Sequence, residues 1–249
     1  MSIRTNIQGH VGEVVLDHPP VNALDSRAWN ELADVIGELG RRSEVRCLLV
    51  RGEGKGFCAG VDIKEMQQHP ERIVELNRGN YRTFKAVRDC EVPVLSAVHS
   101  FVIGGGIGIC GASDVVIASE DAYFSLPEID RGAMGGASHL SRMLPLHKVR
   151  AAFFTGGRIP AAEAYRLGAL ERVVPPQELL TEARAFAALI GAKSRRALVL
   201  AKEALNGIEP RDVDHGYRFE QGFTLEMYLH EDSQKARDAF VKDKKSAKY

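Results

Sequence analysis

Residues 101–114 read FVIGGGIGICGASD. An apolar run gives way to three consecutive glycines, Gly104 to Gly106, and Gly108 follows two residues later. Glycine loses more backbone freedom on folding than any other residue, so four of them in one place need a reason. A second glycine-rich stretch, GKGFCAG at 54–60, has the same setting, after a short apolar run and before a helical pattern. Free N–H groups at helix starts favour developing negative charge. Two such loops side by side can aim two donors at one oxygen. That is an oxyanion hole, worth about 3–4 kcal/mol per preorganised donor. Each stretch taken alone fits a plain tight turn equally well.

The glycines also permit a rival reading. Gly106, Gly108 and Gly111 satisfy G-x-G-x-x-G, and Glu128 has roughly the spacing of the acidic partner in a dinucleotide site. In such a site the glycines abut a strand, whereas HSFVIGG intervenes after VPVLSAV at 92–98, and SLPEIDRG puts Glu128 in a loop-like context. The oxyanion reading is preferred.

The first half of the chain alternates short apolar runs with helical periodicity, the α/β pattern. Strands are expected at 12–18, 45–52, 92–98, 114–119 and 122–128. A helix is expected over 26–40, with Asp25 or Ser26 as N-cap and Gly40 as the stop, and another over 78–90; the loop at 53–66 runs into a helix. After residue 138 the pattern is helical: 139–156, 161–168, 176–192, 195–207 and 213–230. This divides the chain into an α/β core, 1–190, and a helical region, 191–249, that covers its own core or packs on a neighbouring subunit.

Composition narrows the function. With 45% hydrophobic residues the chain can bury a sizeable core. Its 33 basic residues balance 33 acidic ones, which speaks against a nucleic-acid partner. The basic VKDKKSAKY at 241–249 reads as a solvated tail. No secretory signal or bilayer-spanning run is visible. Cys47, Cys58, Cys90 and Cys110 show neither a CxxC pair nor metal spacing. The expectation is a cytoplasmic protein with buried, reduced thiols, no metal site and no membrane contact.

The paired segments GKGFCAGVDIKEM and AVHSFVIGGGIGICGASDVVIASEDAYFSLPEIDRG resemble the crotonase superfamily, the enoyl-CoA hydratases and isomerases. PPVNALD at 19–25, FTGGRIPAAEAYRLGALERVV at 154–174 and AKEALN at 201–206 match the same family in order, so the resemblance spans nearly the whole chain. It implies a spiral of ββα units, a C-terminal helical trimerisation region, a homo-oligomer (trimer or dimer of trimers), and an acyl-CoA substrate with no separate cofactor. It also implies that the N–H groups of Ala59 and Gly105 hold the thioester oxygen as it becomes an enolate. Ala23, Asp62, Ile63 and Lys64 fall in segments that bind substrate.

Position 108 is where hydratases of this family carry their first catalytic glutamate; here it is glycine, which moves no proton. Glu128 matches the second. Hydration normally shares water activation and proton delivery between both carboxylates. Asp130 lies two residues on; in an extended segment it would share a face with Glu128, and the pair could share a proton. The alternative is a surface aspartate in a turn. His139, in GGASHL, either lines the acyl pocket or bonds to backbone at a helix start. The i, i+1 spacing of Ser138 and His139 speaks against a nucleophile pair, since such side chains do not face each other on a helix. LPEIDRGAMGGASHLSRMLP and YRFEQGFTLEMYL are similar to a branch of the superfamily that opens a steroid-derived ring in a CoA thioester by hydrolytic C–C cleavage, with Glu128 or Asp130 as base. The alternatives are a hydratase or isomerase of fatty acyl-CoA, and a non-catalytic binding protein of the same fold.

Overall fold

A computed structural model describes residues 3–210 and 212–242, so residues 243–249 of the basic tail lie outside the described residues. The chain climbs in repeated units of two strands and a helical segment. The first holds β1 (Ile3–Gln8), β2 (Val11–Leu16), β3 (Ala23–Leu24) and α1 (Ser26–Arg41); the second β4 (Cys47–Gly52), β5 (Gly60–Val61), α2 (Ile63–Gln68) and α3 (Ile73–Arg88). The third holds β6 (Val94–Val98), β7 (Phe101–Ile103) and α4 (Gly105–Ala112). The fourth holds β8 (Val115–Ser119), β9 (Tyr123–Ser125), a 3₁₀ turn (Pro127–Arg131), α5 (Ala137–Met143) and α6 (Leu146–Thr155). Then come β10 (Ile159–Pro160), α7 (Ala161–Arg166), β11 (Arg172–Val174), α8 (Leu179–Gly191), α9 (Arg195–Ile208), α10 (Val213–Leu229) and α11 (Glu231–Lys242).

Both β1 and β2 of the first unit, the leading strands of the next three, and β11 join one sheet, in the order β1-β2-β4-β6-β8-β11. All its pairs are parallel except β1–β2. The second strands form another layer, β3–β5 and β10-β9-β7, linked by a parallel bridge between Cys58 and Val102. This is the spiral of ββα units that the motifs implied. Parallel strands covered on both faces need near-continuous apolar runs, and CLLV in β4 and VLSAV in β6 provide them. One face packs on Trp29, Leu32, Ile36 and Phe84 from α1 and α3. The other is closed by Leu179, Ala183 and Ala187 of α8. All four cysteines are buried thiols; burial pushes Cys47 and Cys58 up to about 12, as small core residues rather than nucleophiles.

Three expected elements come out differently. The strand at 122–128 stops at Ser125, because Pro127 opens a 3₁₀ turn. The helix at 139–156 is two helices, broken where Leu144 turns extended ahead of Pro145. The helix at 78–90 begins at Ile73. Asp25 is the N-cap of α1, accepting from the Ala28 N–H at 2.7 Å.

The C-terminal helices fold back over their own core. α10 packs on α3 and α5, and α11 on α2 and the 3₁₀ turn. Gly132, with φ 65°, ends that turn; a side chain there would strike Ser233. Its absence lets Ser233 Oγ donate to the Gly132 carbonyl.

Candidate active site

The glycines of the quoted stretch divide into two jobs. Gly104 caps α4 with φ 54° and ψ −114°, a conformation only glycine adopts without strain. It turns the chain so that Gly105 opens the helix, where an N–H has no intrahelical acceptor. Gly106, Gly108 and Gly111 lie inside α4 as packing glycines. An added Cβ would lie 2.9 Å from the Cys58 carbonyl at Gly106, and would collide with the Phe84 ring at Gly108 and with the His139 backbone at Gly111. The dinucleotide reading fails here, since these glycines form no turn after a strand.

The second donor is not the one the motif suggested. The Ala59 N–H is already donated to the carbonyls of Val21, at 3.2 Å, and Asn22, at 3.3 Å. In a parallel ladder a residue bonds to the neighbours of its partner. Leu24 pairs with Val61 and receives the Asp62 N–H at 2.9 Å. The N–H of Val61 therefore turns to the opposite edge, where Gly104 and Gly105 lie. A Cβ on Gly60 would sit only 3.2 Å from the Gly105 nitrogen, so the two segments meet at that point. Val61 and Gly105, not Ala59 and Gly105, present N–H groups to a shared cleft.

That cleft holds about 750 Å³ of empty space, its mouth included. Glu128 enters it from the 3₁₀ turn. Its Oε1 packs on Gly104, 2.5 Å from where a Cβ would stand, and its Oε2 is enclosed without a hydrogen-bond partner. Burial pushes the carboxyl up to about 8; its own backbone hydrogen bond and Arg131 pull the other way, and Glu220 adds to the rise. Asp130 is elsewhere. In a 3₁₀ turn residues i and i+2 do not share a face, and Asp130 Oδ2 packs against Gly156 outside the cleft. Of the two readings of Asp130, a carboxylate paired with Glu128 and a surface aspartate in a turn, the structure shows the second.

His139 does not line the cleft either. It is 1% exposed, behind Phe84 and Tyr217, with ring centroids 4.7 and 4.9 Å away. Neither ring nitrogen has a partner, so it is not bonded to backbone, and burial pushes it down to about 3, a neutral ring. The start of α5 is capped instead by Glu220 of α10, which accepts from the Ala137 and Ser138 N–H groups at 2.8 and 3.1 Å and from Ser138 Oγ at 2.9 Å. Among the other expected residues, Ile63 lines the cleft; Asp62 caps α2 through the Lys64 N–H, and Lys64 is exposed. Ala23 sits on β3 beside Gly60, packed with Ala59, Phe101 and Ile103.

Residues missed in the sequence close the far side of the cleft: Tyr217, Thr224 and Tyr228 of α10 and Arg237 of α11. No composition or spacing signal marks them, since only the fold-back of the last two helices brings them there. Among the described residues no helix is long and apolar enough to cross a membrane.

The family model of enoyl-CoA hydratase/isomerase matches residues 6–249. A protein of Rhodococcus jostii named (7aS)-7a-methyl-1,5-dioxo-2,3,5,6,7,7a-hexahydro-1H-indene-carboxyl-CoA hydrolase is 47% identical over 244 residues, 97% of this chain and 95% of that protein. A Mycobacterium tuberculosis protein of the same name is 48% identical over 231 residues, 92% and 94% of the two chains. Among solved structures, an enoyl-CoA hydratase/isomerase from Xanthobacter autotrophicus superposes with a TM-score of 0.90 at 25% identity, covering 98% of this chain and 94% of that one.

Proposed function

The chain belongs to the enoyl-CoA hydratase/isomerase family, and we propose that within it the protein is a hydrolase that opens a ring carbon–carbon bond in a cyclic β-keto acyl-CoA thioester. The observation that carries this reading is a single buried carboxyl, Glu128, against the oxyanion edge, while Phe84 fills the space a carboxylate at position 108 would need. A two-carboxylate hydration has no second partner in that position. The two relatives named above are hydrolases of a dioxo bicyclic carboxyl-CoA, which supports a steroid-derived, ring-bearing substrate.

In its carboxylate form Glu128 takes a proton from water as the oxygen adds to the ring ketone carbon. The tetrahedral adduct collapses, the bond to the thioester α-carbon breaks, and the electron pair passes into the thioester enolate. The N–H groups of Val61 and Gly105 hold that enolate oxygen. Glu128 then returns its proton to the α-carbon. Water is consumed, a carboxylic acid is made, and the CoA thioester survives. Coenzyme A arrives as part of the substrate, and no separate cofactor enters. The exposed apolar side chains Leu200, Leu205, Ile208, Phe219 and Phe223 serve as the surface on which copies associate, and the buried thiols suit a reducing, cytoplasmic setting.

Turnover in ¹⁸O-water with mass spectrometry tests the reaction. Label in a new carboxylate, with CoA retained, is the expected result. Free CoA as first product means thioester hydrolysis. Label in a hydroxyl, or a shifted double bond without label, means the hydratase or isomerase chemistry that one acid–base group and the same oxyanion edge can also serve.

A further inference from the structure

Arg237 is 2% exposed and lines the cleft from α11. One end of its guanidinium donates to Ser233 Oγ and another to Gln234 Oε1 at 2.8 Å, both on its own helix, while its Nε has no partner. Its plane lies over the Tyr228 ring, 4.5 Å from the centroid. Among the described residues no carboxylate stands within ion-pair distance of it. The nearby Asp238 takes Gln67 and Gln234 instead. Nor does Glu128 answer it, since the charges acting on that carboxyl are Arg131 and Glu220. A buried guanidinium without a counter-ion is costly, and a ligand anion entering the cleft it lines would offset that cost. Its location is also held firmly: Ser233, which accepts from Arg237, itself donates to Gly132, at the end of the turn that carries Glu128.

We propose that Arg237 is a specificity-determining residue that binds a carboxylate on the acyl portion of the CoA ligand. The inference rests on the ring-opening reading, in which the reaction itself creates such a carboxylate on the acyl group that still carries CoA. A guanidinium with open donors is the group best matched to that product. Arg237 then holds the opened ring until release and favours acyl groups that carry oxygen over plain alkyl chains.

Calorimetric binding of glutaryl-CoA and adipyl-CoA, compared with the neutral pentanoyl-CoA and hexanoyl-CoA and with free CoA, decides this. The wild-type protein is expected to prefer the carboxylate-bearing thioesters by about 10–100-fold, the size of a charge-assisted hydrogen bond to a buried ion. Arg237→Met removes the preference while leaving the neutral thioesters and free CoA unchanged, and Arg237→Lys restores part of it. A wild-type protein with no preference overturns the proposal even if the variants do not fold. Equal weakening of every ligand, free CoA included, overturns it too, because Arg237 then contacts the CoA phosphates. The two readings fail separately. Labelled ring opening without a carboxylate preference sinks the Arg237 assignment alone. A carboxylate preference without ring opening upholds Arg237 and sinks the reaction.

Discussion

Replacing Glu128 with glutamine reports on the carboxyl in two ways. The fold raises this group from an ordinary 4.5 to about 8 by burial. Between those values the folded chain keeps the proton while the unfolded chain has lost it, so stability declines as pH rises through that window. At about 1.4 kcal/mol per unit, the full penalty above pH 8 reaches roughly 5 kcal/mol, a ceiling that local relaxation lowers. Glutamine has the same shape and no charge. At pH 5, where the folded wild type is protonated, the two proteins are expected to melt at nearly the same temperature. At pH 9 the Glu128→Gln variant escapes the penalty and melts higher, by up to about 10–20 °C for a domain of this size. Catalysis moves the opposite way. Wild-type kcat/KM rises with pH toward a plateau above about 8, as the base form fills, and the variant loses about 10²–10⁴-fold at every pH. Calorimetric melting of both proteins from pH 5 to 9, beside a kcat/KM profile, supplies the data. A melting difference that stays constant across that range would refute the buried, proton-retaining carboxyl on which the mechanism rests.

Asp130→Asn is expected to leave turnover within about twofold, because its carboxylate faces Gly156 outside the cleft; a loss comparable to that of Glu128→Gln would put the base at the wrong residue. Gly108→Glu is expected to gain no crotonyl-CoA hydration and to lower the melting temperature, since the new Cβ collides with Phe84; a stable, efficient hydratase from this change would contradict the packing. Lys202→Met strips Asp114 of a buried ion pair at 2.8 Å and leaves the Val87 and Val92 carbonyls short of a donor, so denaturant unfolding should show a loss of about 3–5 kcal/mol with kcat little changed.

Much of this was legible in the residues, and the misreadings have physical causes. Short apolar runs alternating with helical periodicity gave the α/β units, and the motif carried Gly105 and Glu128 to the cleft. Ala59 was misassigned because which N–H points where in a strand depends on ladder register, which residue types do not encode. Residue types leave Asp130 open between a face shared with Glu128 and a surface turn, and the 3₁₀ turn begun by Pro127 decides for the turn. The glycine at 108 announced a missing carboxylate, but its reason lies in Phe84, a neighbour only in space. Arg237 gives no signal, since a polar residue on a helical stretch reads as a solvated face until another element covers it, and the YRFEQGFTLEMYL stretch that holds Tyr228 does not show which of its residues reach the cleft.

The docking of α11 onto the turn bearing Glu128 also sets an order of events during synthesis. Val61, Gly105 and Glu128 leave the ribosome well before Tyr228 and Arg237, by about a hundred residues, or several seconds at ordinary elongation rates. In that interval the oxyanion edge can form while the cleft stands open and the carboxyl of Glu128 is still hydrated. Water leaves only when the last helices settle. The last helices to be made therefore complete the wall of the cleft in which this acid sits.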